Sequence, residues 1–355
     1  MNKKKVTMTD IAARTGLSQS TISMILSKKS SARFSEQTVQ SVYEACRELG
    51  YQHPGASMND SKFIMIMSEN LTIPYYSQMA QQIDYIANIN GYRTIVCNTN
   101  RNKELELSYL QYALQTHVSG IIYLTYPNHP EKVNEVSKKI PIVAICDEVE
   151  NLSVDIIEID NMQSSALLID HLVELGHKKI MLLTASPDTN LGRHTRVKGL
   201  KYQMAQHGLE DSLYIRSKNV NWQSELSGEV NDYTIGYKFM QDPSLLSMGI
   251  TAFIGMTDVM ARGIADALLE QGFRIPEDYS VCGYDNLIYS RLLPLSLTTI
   301  ELYLDQRAKS AFELLLRNID ILNDKPDALF QNARIKIEHP SVLIVRNSTG
   351  PAKKS

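Results

Sequence analysis

The chain has 355 residues, 43% of them hydrophobic and 21% charged, with four cysteines and a formal net charge of −3. At roughly 150 residues per domain this length implies two or three domains, and the composition excludes a disordered or collagen-like chain. No apolar run approaches the ~20 residues of a membrane span, and the start Met1 to Thr7 lacks the apolar stretch of a secretory signal.

Cys46, Cys97, Cys146 and Cys282 are scattered with no C-x-x-C pair, so neither a disulfide framework nor a zinc site is indicated. The expectation is a soluble cytoplasmic protein that needs no metal and no cofactor. Charge is unevenly spread: residues 1–60 carry eight Lys and Arg against five Asp and Glu, +3, which leaves −6 for the rest. That asymmetry fits a small module that meets a polyanion, joined to a larger body that does not.

In chain order, Thr7 or Thr9 can cap a first helix over about residues 9–14, broken by Gly16. Ser18 caps a second helix, Gln19 to Ser27, with Ile22, Ile25 and Leu26 on one face. A third follows Ser35, carries Val39, Val42, Tyr43, Cys46 and Leu49 on one side, and ends at Gly50. Helix, glycine-containing turn, helix is the helix-turn-helix pattern. Short polar residues on the second helix (Ser18, Gln19, Ser20, Thr21, Ser23) suit phosphates and base edges in a DNA major groove. A plain three-helix bundle with a solvated polar face is the competing reading.

From residue 62 strands and helices alternate. Strands are expected at 63–67, 93–97, 120–124, 140–146, 179–184, 251–255 and 280–283, and helices at about 76–90, 104–116, 161–175, 193–207 and 258–271. This alternation means β-α-β units and parallel sheets, more naturally two sheets than one. No two of the seventeen glycines lie two apart, so no G-x-G-x-x-G exists. G-K-[ST], a G-x-S-x-G elbow and metal-spaced His/Cys clusters are also missing, which argues against an enzyme. His171 and His177 flank a helix end and read as surface or capping residues.

Several segments resemble the lactose-repressor (LacI/GalR) family of bacterial transcription regulators. They are Thr9-Asp10-Ile11-Ala12, Gly16-Leu17-Ser18, Thr21-Ile22-Ser23, Leu26, Arg33-Phe34-Ser35, Thr38, Val42 and Leu49-Gly50-Tyr51. The likeness continues through Asp160-Asn161, His171-Leu172, Gly176 to Ile180, Arg196-Val-Lys-Gly199, Val281 to Asn286 and Leu297 to Ile300, nearly the whole chain. It implies an N-terminal all-α helix-turn-helix headpiece plus a two-lobed α/β body of periplasmic-binding-protein type, with parallel sheets and three crossovers. The expected division is a headpiece at 1–52, a linker at 53–61, a first lobe of 62–161 and 302–325, a second lobe of 162–301 and 326–346, and a flexible tail at 347–355.

On DNA, the resemblance turns Ser18, Gln19, Ser20 and Met24 toward the groove and gives Thr9, Thr21, Ser23 and Thr38 supporting or backbone contacts. Two departures stand out. Met24 replaces the polar base reader of many members, and methionine offers no bidentate bond to guanine; core packing is its alternative role. The linker Tyr51 to Ser61 is short, with Gly55, Asn59 and Asp60 and no leucine, so a tether is expected in place of an ordered hinge helix.

In the body, the resemblance puts a small-molecule effector in the cleft at the strand C-termini. Trp222 would stack on a pyranose face, Arg196 would fork toward hydroxyls, and Asp285 and Asp147 would accept hydroxyl hydrogens. Their plainer roles are a core tryptophan, a salt bridge, a brace for Arg196 and a helix cap. Tyr75 and Tyr76 would edge the cleft, with Asn98 and Thr125 as weaker candidates. Asn190 stands where the purine-binding branch tends to carry a second arginine, which tilts the expectation from purine to sugar. The partners implied are operator DNA, a saccharide effector and a second copy of the chain, paired near helices 76–90 and 258–271 and the strands near 281. A purine or phosphorylated metabolite in the same cleft, or a body that recruits a protein partner, are the rival readings.

Overall fold

The computed structural model describes residues 6–26, 34–49, 62–147, 151–185, 191–219, 231–324 and 334–353. The linker 53–61, Asn190 and Trp222 lie outside the described residues. The headpiece, residues 1–62, and the body, residues 63–355, are separate compact units.

The headpiece holds α1 (Met8–Thr15), α2 (Gln19–Leu26) and α3 (Glu36–Leu49). Thr7 caps α1, and the Asp10 carboxylate accepts hydrogen bonds from the Thr7 N–H and hydroxyl, both at 2.7 Å. Gly16, at φ 72°, ends α1 by donating to the Ala12 carbonyl, a conformation that costs glycine little. Ser18 and Ser35 cap the next two helices, accepting from the N–H groups of Thr21 and Thr38. Ile11, Ile22, Ile25, Val42 and Ala45 form the buried core. Leu49, expected on the apolar side, is exposed.

The body has two six-stranded sheets. The first contains β1 (Phe63–Ser68), β2 (Arg93–Asn98), β3 (Gly120–Tyr123), β4 (Ile142–Ile145), β5 (Asp155–Ile159) and β11 (Lys336–His339), in the order β11-β5-β4-β3-β1-β2, all parallel. The second contains β6 (Ile180–Ala185), β7 (Leu213–Lys218), β8 (Ala252–Gly255), β9 (Ser280–Asp285), β10 (Thr298–Glu301) and β12 (Val342–Ile344). Its order is β12-β10-β9-β8-β6-β7, and only β12 is antiparallel.

Helices cover both faces of the first sheet. Ile64 and Ile66 of β1 share a core with Met79 and Ile83 of α4 (Pro74–Ile89) and Phe312 and Leu315 of α12 (Leu304–Asp324). Met65 and Met67 face the opposite way, into a core with Leu110 of α5 (Lys103–Thr116) and Val133 of α6 (Pro130–Ser137). Strands buried on both faces read as continuous apolar runs, which is why β1 and β6 were legible. β5 was not: its sequence Asp-Ile-Ile-Glu-Ile starts and breaks on carboxylates. In the fold Asp155 accepts from the Asn318 amide at 2.8 Å and the Ile335 N–H at 2.7 Å, while Glu158 pairs with Lys336 at 2.5 Å.

The chain crosses between lobes three times. Asp160 leads from β5 into α7 (Asn161–Glu174), residues 302–303 lead from β10 into α12, and residues 340–341 lead from β11 to β12. The fold corrects four expectations. Residues 326–346 do not all belong to the second lobe, because β11 adds to the first sheet beside β5.

The tail is docked over its described part. Ser348 accepts from the Val281 N–H through its carbonyl and from the Thr298 N–H through its hydroxyl, and the Ala352 N–H donates to the Leu175 carbonyl. His177 is buried, not a surface residue; its ring bonds Thr251, Ser280 and the Gly350 carbonyl at 2.8–3.0 Å. The strand near residue 281, β9, is interior, paired on both sides, and offers no surface to a second copy. Among the described residues no helix is long and apolar enough to cross a membrane.

The remaining helices of the second lobe are α8 (Leu191–Gln206), α9 (Asp232–Phe239), the single turn α10 (Pro243–Leu246) and α11 (Asp258–Glu270). Helices α9 and α11 cross at glycines. A Cβ on Gly236 would lie 2.3 Å from the Met260 carbonyl oxygen, and one on Gly263 would lie 2.2 Å from that of Tyr233. This close approach sets the N-termini of both helices side by side, where Thr257 donates its hydroxyl to Asp232 at 2.9 Å. Gly263→Ala is expected to destabilise the body by about 1–3 kcal/mol through overpacking against backbone. A lowered urea midpoint in chemical denaturation checks it; an unchanged midpoint would show that the helices separate freely.

Candidate functional site

The headpiece presents one polar face. Ser18, Gln19 and Ser20 are exposed, and Thr21, Ser23 and Thr38 are half-buried. The Ser18 hydroxyl lies 2.8 Å from those of Ser20 and Thr21, and Thr38 lies 2.8 Å from Ser35. The Gln19 amide donates to the Thr9 hydroxyl at 3.0 Å, linking the start of α2 to α1. These hydroxyls cluster at helix N-termini, whose free N–H groups favour anions. Met24 is 38% exposed, which removes core packing as its role.

The second site lies between the lobes, where the C-terminal ends of both sheets converge. Its centre is Arg196, on α8. The guanidinium donates from Nε to Asn161 Oδ1 at 2.9 Å and from Nη1 to the Met256 carbonyl at 3.2 Å. It lies 3.8 Å from Asp285 Oδ1 and stacks 4.4 Å from the Tyr284 ring centroid. Asn161 in turn donates to Asp147 Oδ1 at 2.8 Å. Asp285 therefore does brace Arg196, and Asp147 is joined to the same network through Asn161.

The first lobe supplies the opposite wall. Tyr75 and Tyr76, at the start of α4, meet edge to face at 5.1 Å. Tyr76 and Thr125 both donate hydroxyls to Glu69, at 3.0 and 3.1 Å, and Glu69 also pairs with Arg101. Arg193 approaches Asp232 at 3.4 Å. Two adjoining compartments, of about 100 Å³ and about 330 Å³, share Ile73, Tyr75, Thr257 and Asp285 in their walls.

Of the residues expected in the cleft, Tyr75, Tyr76, Thr125, Asp147, Arg196 and Asp285 line it together. Asn98 does not; at the end of edge strand β2 its amide donates to Asn100 at 2.7 Å. The neighbouring loop sends Arg101 into the wall instead, on residues at positive φ, Asn100 (51°) and Arg101 (57°). Asp285 is also held at positive φ, 108°, a conformation rare outside glycine that marks functional sites. Arg101, Asn161, Arg193, Thr257 and Arg307 were missed. Asn161 alone had a signal, since it opens a helix just after a strand; Arg101 sits in a turn and Arg193 and Arg307 near helix starts, where one more arginine leaves no pattern.

Burial governs the acid–base state here. It pushes the Asp285 carboxyl up to about 7, with Arg196 opposing the shift and Asp232 adding to it. Burial also raises Asp147 and, more strongly, Asp258 behind Asp285. Asp258 accepts from the Leu287 N–H at 2.9 Å and the Thr299 hydroxyl at 2.5 Å. The site offers fixed donors and acceptors for hydroxyls beside two aromatic rings, in a cleft with charge held in place by paired partners.

Residues 61–343 match the family model described as periplasmic binding proteins and sugar binding domain of LacI family, and residues 7–54 match that of bacterial regulatory proteins, lacI family. The HTH-type transcriptional repressor PurR of Haemophilus influenzae is 28% identical over 349 residues, covering 96% of this chain and 98% of its own. A LacI family transcriptional regulator from Enterococcus faecium, solved with bound ribose, aligns with a TM-score of 0.68 at 25% identity, over 82% of this chain and 100% of its own. The lac repressor dimer bound to operator aligns at 0.77 and 24% identity, over 98% and 100%, a likeness of fold.

The raised carboxyls set a pH dependence. An acid whose folded pKa lies above its unfolded value of about 4 binds more protons when folded, so stability falls as pH rises from about 4 through about 7. The ligand-free protein is expected to melt several degrees lower at about pH 8 than at about pH 5, and Asp285→Asn should flatten part of that slope. Thermal denaturation followed by circular dichroism across this range checks it; a wild-type melt that rises with pH would contradict it.

Proposed function

The chain belongs to the lacI family of bacterial regulatory proteins, DNA-binding transcriptional regulators with a ligand-binding body, and from that membership we propose a repressor controlled by a small saccharide effector. In this reading Ser18, Gln19, Ser20 and Met24 meet base edges, and Thr9, Thr21, Ser23 and Thr38 meet the phosphate backbone. The exposed hydroxyl cluster at the starts of α2 and α3 supports it. Met24, exposed and apolar, suits a thymine methyl rather than a guanine edge.

The effector assignment rests on one observation: the chain Arg196–Asn161–Asp147, closed by Asp285, lines a cleft faced by Tyr75 and Tyr76. Fixed donors and acceptors of this kind match the alternating hydroxyls of a sugar, and an aromatic ring accepts its apolar face. Ligand is bound and released unchanged; no reaction is assigned to the cleft. By binding one lobe arrangement better than another, the effector shifts the population competent for operator DNA.

Two copies are needed to read a two-fold operator. Exposed apolar side chains of the body support a homodimer: Ile288 at 64%, Leu292 at 43% and Leu293 at 81% on one segment, and Tyr85 and Ile89 on α4. Leu293→Asp is expected to shift the protein to monomers in sedimentation and weaken operator binding at least tenfold at equal concentration; a dimeric variant would move the interface elsewhere.

Calorimetry of the full chain against ribose, galactose, glucose and related sugars tests the effector. Arg196→Ala should lose about a hundredfold in affinity, since it leaves Asp285 and Asn161 buried without their donor, while ligand-free operator binding in a gel-shift assay persists. Equal sugar binding by variant and wild type would remove Arg196 from the site.

A further inference from the structure

Four arginines line the smaller compartment of the interlobe cleft, and three of them have a carboxylate within 4.0 Å. Arg101 pairs with Glu69, Arg193 with Asp232 and Arg196 with Asp285. Arg307, on the first turn of α12, does not. Its residue is 4% exposed, and no carboxylate among the described residues comes within the 4.0 Å of an ion pair. Its only hydrogen bond among them runs from Nη1 to the Tyr75 hydroxyl at 2.9 Å, and its buried Nε has no acceptor there. The Asp147 and Asp285 carboxylates act on its charge only from beyond ion-pair distance, and Asp147 accepts from the Asn161 amide at 2.8 Å.

A buried guanidinium N–H with no acceptor is costly, and a ligand oxygen that accepts from it removes that cost. The cation also stands against one face of Tyr75, 6.0 Å from the ring centroid, and so is fixed beside the aromatic wall. A guanidinium presents its Nε and the adjacent nitrogen as a planar fork that fits two oxygens of one anion.

We propose that the effector is an anionic sugar, carrying a carboxylate or a phosphate that Arg307 binds through this fork while its hydroxyls meet the Arg196–Asn161–Asp147 chain. This rests on the saccharide reading above and narrows it. Tyr75 then serves both parts of the ligand, its hydroxyl steering the Arg307 guanidinium and its ring flanking the sugar.

The test is calorimetry on the full chain with matched probes: glucose and galactose, glucuronate and galacturonate, and the corresponding hexose monophosphates. Wild-type protein should bind one anionic series about a hundredfold more tightly than the matching neutral sugar, and the gain should shrink with added salt. Which series gains, uronate or phosphate, identifies the anion.

Arg307→Met should abolish the gain of the anionic over the matching neutral sugar, and Arg307→Lys should keep part of it. Loss of a buried charge that has no direct ion pair should not lower the melting temperature of the ligand-free Met variant; the wild-type comparison stands whether or not that variant folds. Equal wild-type affinity for neutral and anionic sugars, or a Met variant that keeps the gain, would overturn the proposal and leave the saccharide reading intact. Binding of no sugar of either kind would overturn both.

Discussion

The guanidinium of Arg196 is the fixed point of the body. It comes from α8, rests on Tyr284 of β9, and is held by Asn161 at the first crossover and the carbonyl that follows β8. Four elements distant in sequence therefore share one cation. The Ser165 hydroxyl reinforces the set, lying 3.0 Å from the Arg196 carbonyl and 3.1 Å from the Tyr284 hydroxyl. Such a buried charge tolerates little error in its partners. Asp147 and Asp285 both stand in the cleft wall beside it.

The two lobes contribute unequally. The second lobe supplies a rigid frame, in which glycines at the α9–α11 crossing bring Asp232 and Thr257 together and the docked tail seals β9. The first lobe supplies the aromatic pair, a Glu69–Arg101 brace and Arg307 with its Nε unmet among the described residues. All three crossovers pass between the sheets, so relative motion of the lobes is confined to these connections. A ligand that bridges Arg307 and Arg196 would span both lobes at once, which gives differential affinity between open and closed arrangements a direct structural origin.

The headpiece works on a different scale. Five buried apolar residues form its core, with helix ends satisfied by Thr7, Ser18 and Ser35. These caps use the residue types that also suit phosphate contact, so one short polar pattern serves both folding and the proposed DNA face.

The sequence by itself determined the helix-turn-helix and the alternation that makes parallel sheets, because capping and periodicity are local properties, while six of the cleft residues came from its resemblance to the family together with strand-end position. It also suggested the charge split between headpiece and body. Local pattern failed where burial or distance in sequence decided. β5 was hidden by carboxylates whose partners, Asn318 and Lys336, lie more than 150 residues away. The tail looked flexible because its anchors are backbone groups of β9 and α7. β11 left the second lobe because its pairing edge is β5. Arg307 reads in sequence as one more charge on an amphipathic helix; only the tertiary structure shows that it lines the cleft with no carboxylate within ion-pair distance among the described residues. Pairing of charges across the chain is a property of the fold, and it is what distinguishes the groups that hold this site together from the one left to meet a ligand.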